Sequence, residues 1–185
     1  MDLHDHFLIA MPQMEDENFK QSVIYICEHN DQGTMGIVIT NPTNLSVMEL
    51  CSKTNFMMAD NRQYSDQLVL SGGPVHLDRG FILHTKTPEN YRYSYAINND
   101  LMLTTSNDVL NAIGTENAPE KYLVALGCAS WAPNQLANEI TNNDWLVVPA
   151  NSHILFDTPI DQRWAMANQL LGIQSSNLIY QAGHC

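Results

Sequence analysis

Five consecutive positions, Val23 to Cys27 in the stretch SVIYICE, are apolar and rich in β-branched side chains. Successive side chains of a strand face opposite ways. A strand without polar alternation must therefore be covered on both faces. A second β-branched run, TMGIVIT (Thr34–Thr40), follows after HNDQG. Gly33 is free to take positive φ there, so the two runs read as a hairpin. KYLVALG is another near-continuous apolar strand.

Around this frame the remaining elements are short. SVME (Ser46–Glu49) matches a capping box and predicts a helix towards Lys53. QLVLS and FILHT read as strands, and YSYAI with LMLTT as a second hairpin across Asn98-Asn99-Asp100. SNDVLNAIG predicts a short helix capped by Ser106 and stopped at Gly114. NQLANEI is a helical turn or two, and WLVVP and HILF are strands. TPIDQRWAMANQLLG has Thr158 at the cap, Pro159 at the first helical position and Gly172 past the end. The expectation is an α+β fold spanning residues 1–185 as a single domain. Its sheet is mixed or antiparallel, with barrel-like closure open, and carries about four short helices and a C-terminal helix.

The totals exclude several classes. A chain of 185 residues that is 44% apolar can bury a core without staples. No window approaches the ~18 apolar residues of a membrane helix. MDLHDHFLIAMPQ lacks a basic n-region, and Cys27, Cys51, Cys128 and Cys185 show no paired spacing. Reduced thiols in the cytosol are therefore expected. Eight Lys and Arg against twenty Asp and Glu give −12, and the cations are spread singly. Phosphate backbones and anionic leaflets are bound by clustered cations, so neither nucleic acid nor membrane is an expected partner.

Two polar stretches stand out. In SGGPVHLDRGFILHT (Ser71–Thr85), Pro74 removes a backbone donor directly after Gly72 and Gly73, and a strand follows. A phosphate loop needs those donors and a helix. The stretch reads first as a tight reversal or bulge joining two strands, and second as a cleft edge. Arg79 either pairs locally with Asp78 or holds an anion in a cleft. In GCASWAPNQLANEI (Gly127–Ile140), Cys128 has no cationic sequence neighbour to lower its pKa and reads as a packed thiol. Trp131 is a core plug or a pocket wall. His4-Asp5-His6 is a minimal metal pair on one strand face without an assignable third ligand, and no CxxC or HExxH motif exists. Neither a metal nor a cofactor is expected.

Taken together, HFLIAMPQM, SVIYICEHNDQGTMGIVITNP, VLSGGPVHLDRGFILH, GCASWAPNQLANEI, WLVVPA, ILFD, Arg163-Trp164 and Ala182–His184 resemble the AlgH/YqgE family along nearly the whole chain. The usual form of the second motif in that family is close to G-x-x-G-W-G-P-G-Q-L. Ser130, Ala132 and Asn134 stand here where three of those glycines would. The resemblance implies a bacterial, cytosolic protein of mixed α/β fold and a proposed regulatory role. It carries over no catalytic residues. Ser71, Gly72, Gly73, Arg79, Trp131 and Gln135 are the candidate cleft positions.

Three functions are weighed. The first is a non-enzymatic binding or regulatory module acting through a protein partner or small ligand. The second is a hydrolase or transferase with its cleft between the Ser71–Arg79 and Cys128–Gln135 loops, His76 or His84 as base and Arg79 as anion anchor. A DNA-binding regulator ranks last on charge. The two loops are expected to meet around one pocket, and the enzyme reading depends on it. Oligomeric state is left open.

Overall fold

The computed structural model describes residues 2–53 and 67–181, with side chains of the closing helix as far as residue 172. Arg62, Cys185 and the Ala182–His184 motif lie outside the described residues.

The expected first hairpin forms: β2 (Val23–Asn30) pairs antiparallel with β3 (Gly33–Val38), with a bulge between Ile26 and Glu28. β1 (His6–Ala10) lies on the other side of β2 and pairs onward with β10 (Trp145–Pro149). Beyond β3 come β9 (Tyr122–Trp131), β6 (Val75–Thr85), β8 (Leu101–Thr104) and β7 (Ser94–Ala96). β4 (Pro42–Ser46) and β5 (Leu68–Ser71) form a side branch that joins β9. The sheet is antiparallel except where β5 meets β9 in parallel. It curls into a half-barrel, which brings Tyr95 of β7 across from Cys27 and Glu28 of β2.

Both faces of β2 are covered, as its apolar run requires. Val23, Tyr25 and Cys27 point into the concave core with Phe7, Phe81 and Leu103. That core is closed by α4 (Arg163–Gln181) and the π-helical turn His153–Asp157. Ile24 and Ile26 point outward beneath α3 (Gln135–Thr141), against Trp131, Leu136 and Trp145. A third apolar cluster lies under α1 (Val47–Lys53) and α2 (Asp108–Ala112). The capping box at the start of α1 is formed in both directions. The Ser46 amide donates to the Glu49 carboxylate at 2.9 Å, and the Glu49 amide donates to the Ser46 hydroxyl at 3.1 Å.

Five local expectations are corrected. HILF is a π-helical turn, not a strand. Asn151 accepts from the Ile154 amide and Thr158 donates its hydroxyl to the His153 carbonyl, so local side-chain bonds outcompete a ladder. Thr158 is thereby engaged backwards, and caps no helix. α4 begins at Arg163 after a 3₁₀ turn and runs through Gly172, which is exposed and needs no stop conformation. At α2 the capping position is Asn107, without a side-chain cap; Ser106 instead donates to Asp108 at 2.5 Å. Gly114 does terminate that helix, with φ +79°. His4 lies outside β1, and Asp5 turns the chain at φ 58°, so His4 and His6 share no strand face.

Candidate functional site

The first motif is a crossing, not a simple strand reversal. Leu70 and Ser71 pair with Ala125 and Leu126 on one edge of β9, while Gly80 and Phe81 pair with the same two residues on the other edge. The intervening Gly72-Gly73-Pro74 therefore passes over the face of β9. Gly72 stitches the junction: its amide donates to Leu126 O and its carbonyl accepts from the Val38 amide, both at 2.8 Å. Room for the crossing is made on both chains. A Cβ on Gly73 would overlap the Cys128 carbonyl, and one on Gly127 would lie 2.6 Å from Gly73 O. Gly127 also takes φ +77°, where only glycine is unstrained.

After the crossing β6 bulges. Val75 and Gly80 face Cys128 and Leu126, so His76 to Arg79 loop outward opposite the single residue Gly127. His76 takes φ 51°, and all four residues of the bulge are exposed. Among the described residues Arg79 makes no ion pair with Asp78 or any other acid. Its charge acts on Cys128, but burial dominates and holds that thiol above its ordinary pKa. Cys128 is 2% exposed and is a packed thiol. His84 is no base for this cleft either. Its ring is buried, with Nδ1 2.8 Å from Thr85 O and Nε2 2.7 Å from Thr104 Oγ1.

The two motifs do meet. Pro74 from the crossing and Ser130, Trp131 and Gln135 from the second motif wall a cavity of about 350 Å³. Trp131 is plug and wall at once: it is 3% exposed, and its indole N–H donates to Glu139 Oε2 at 2.8 Å. The Trp145 indole donates to the same oxygen at 2.9 Å, and the Gln135 amide donates to Oε1 at 3.0 Å. Gln135 Oε1 in turn accepts from the Ala132 amide at 3.0 Å. Phe19 stacks on Trp131, with centroids 6.3 Å apart, and stands edge-on to Trp145 at 5.5 Å. Asp16 and Asp144 complete an acidic rim, and among the described residues no Lys, Arg or His lines the cavity.

Arg79 is thus absent from the walls, and Ser71, Gly72 and Gly73 shape the crossing beneath them. Glu139, Trp145, Phe19, Asp16 and Asp144 were not among the sequence candidates. The Gln135–Glu139 pair was readable, because residues four apart share a helix face. Phe19 and Trp145 arrive from other elements and left no local signal. Asn134 holds φ 64°, the left-handed conformation suited to the glycine of the resembled motif, and asparagine tolerates it better than most residues. A larger concavity of about 820 Å³ lies on the other side of the α3 start, near His29 and Asp31, and includes no residue of the first motif.

A curled antiparallel sheet with these two crossing motifs defines the class. The family model described as AlgH-like matches residues 7–176, and the chain belongs to that family. A UPF0301 protein of Pasteurella multocida is 64% identical over 185 residues, covering all of both chains. Another, from Mannheimia succiniciproducens, is 58% identical over the full length of both. The solution structure of AlgH from Pseudomonas aeruginosa superimposes with TM-score 0.78 at 42% identity, covering 100% of this chain and 97% of that one.

Proposed function

We propose that this protein is a non-enzymatic binding module whose cleft receives a cationic group, such as a lysine or arginine side chain presented by a protein partner. One observation carries the reading: the cavity where the two family motifs meet is walled by aromatic rings and by Asp16, Glu139 and Asp144, with no cation among the described residues that line it. Carboxylates beside aromatic walls attract ammonium and guanidinium groups. The chain's surplus of negative charge steers cations in the same direction. An anionic substrate anchored by Arg79 fits poorly, since Arg79 stands on the bulge outside the cavity. A raised thiol at Cys128 and a fully engaged His84 also supply no nucleophile–base pair. No helix among the described residues is long and apolar enough to cross a membrane.

The test is a titration of the ¹⁵N-labelled chain with Nα-acetyl-arginine methyl ester and with its neutral isostere, Nα-acetyl-citrulline methyl ester. The Trp131 and Trp145 indole resonances report directly. Saturable shifts with the cation alone, weakened by Asp16→Asn with Asp144→Asn, support the reading. Indole shifts driven by inorganic phosphate, or none with either ester, reject it.

A further inference from the structure

Arg163 opens α4 as a buried cation, 4% exposed. Its Nε donates to Thr158 O at 3.0 Å and its Nη1 to Ile39 O at 2.7 Å. A guanidinium carries five N–H donors. Three are left without a protein acceptor among the described residues, and no carboxylate pairs with the charge. Asp157, its near neighbour in sequence, is held by Lys121 at 2.8 Å and by His153 at 3.6 Å. Burial lowers the pKa of Arg163 to about 10, so it remains cationic at neutral pH.

An uncompensated buried charge is costly, and carbonyl dipoles offset it only in part. Arg163 also forms part of the wall of a cavity of about 420 Å³. Leu68, Leu70, Leu123, Phe156 and Ile160 make the rest of that wall largely apolar. The volume lies in the range of small-molecule sites, which pair apolar walls with a few placed polar groups. The N-terminus of the 19-residue α4 adds positive potential at the same end. Asp157 on the rim disfavours a second negative charge.

We propose that this cavity binds a small monocarboxylate with an apolar body, its carboxylate taken by the free donors of Arg163 and its chain lying along Leu68, Leu70 and Leu123. The site is separate from the acidic cleft and stands or falls independently of it.

The probe is octanoate, with octan-1-ol as the uncharged control, titrated into the ¹⁵N,¹³C-labelled full chain. Octanoate is expected to move the Arg163 Nε–Hε resonance and the Leu68 and Leu123 methyls to saturation. Octanol should bind at least about tenfold more weakly. Arg163→Gln should abolish that selectivity. Because Arg163 also ties Thr158 to Ile39, Leu68→Trp is the second arm: Leu68 is 37% exposed, and the larger ring fills the cavity without removing a buried bond. It should eliminate the octanoate response at an unchanged unfolding midpoint. Equal affinity for octanol, an unmoved Arg163 resonance, or a full response in Leu68→Trp each overturns the proposal.

Discussion

Gly73 rests directly on the backbone of Cys128: a Cβ at this glycine would fall within 3.0 Å of the Cys128 carbonyl group and of the Ala129 amide. The contact is what lets the chain leave one edge of β9 and join the other. It also explains why two separate sequence motifs form one site, since each makes room for the other.

Gly73→Ala is therefore expected to cost about 3 kcal/mol, from overpacking against immovable backbone at φ +150°. Gly172→Ala is the contrasting substitution. It sits within α4 and, apart from the helix's own backbone, no described residue comes inside 4 Å of the added methyl, so the change should stabilise by about 1 kcal/mol. Urea unfolding of both variants gives the comparison. A mild Gly73→Ala would contradict the close crossing.

Glu139 accepts from the indoles of both Trp131 and Trp145 on one oxygen and from Gln135 on the other. Glu139→Leu leaves two indole N–H groups near the base of the cleft without acceptors, each costing about 1–3 kcal/mol if it stays buried. Glu139→Gln keeps one oxygen for the indoles but turns an amide towards the Gln135 amide, and should cost less. Both changes should shift tryptophan emission, with Glu139→Leu producing the larger shift and the larger loss in unfolding free energy. Equal stability of the two variants would show that the indole bonds contribute nothing.

His84 links stability to pH. Its Nδ1–H donates to Thr85 O, so Nε2 must accept from the Thr104 hydroxyl, which in turn can accept from Ser94. This network satisfies the neutral ring. Burial lowers the His84 pKa below 6.5, outweighing the bond to Thr85, which raises it. Below pH 6.5 the unfolded chain therefore binds a proton that the folded chain refuses. Stability is fully present above that value and is lost as pH falls towards the folded pKa, at up to about 1.4 kcal/mol per pH unit. His84→Gln should be less stable at neutral pH yet flatter on mild acidification. The same slope in both proteins, read from urea midpoints, would remove His84 from the linkage. The lowered carboxylates Asp108 and Asp157 act in a more acidic window, below their ordinary pKa of 3.8.

Several elements were readable because their cause is local. The five-residue apolar run of β2 forced cover on both faces, and both faces are covered. Ser46 and Glu49, three residues apart, form the capping box that their spacing implies. HILF failed for the complementary reason: its apolar content suits a strand, but Asn151 and Thr158 bond it into a turn that buries Ile154 and Leu155 together. Gly172 failed because a glycine stops a helix only where the chain must turn, and here α4 continues.

The chain's own order of residues thus decides which segments pair with water, which must be buried and where short helices start, because those preferences act over a few residues. Which edge of β9 each strand takes, the meeting of Phe19, Trp131, Trp145 and Glu139, and the isolation of Arg163 against an apolar cavity belong to the folded molecule. They arise from contacts between residues more than a hundred positions apart in sequence, such as Ile39 and Arg163, separated by 124, and only packing in three dimensions brings such groups within bonding distance.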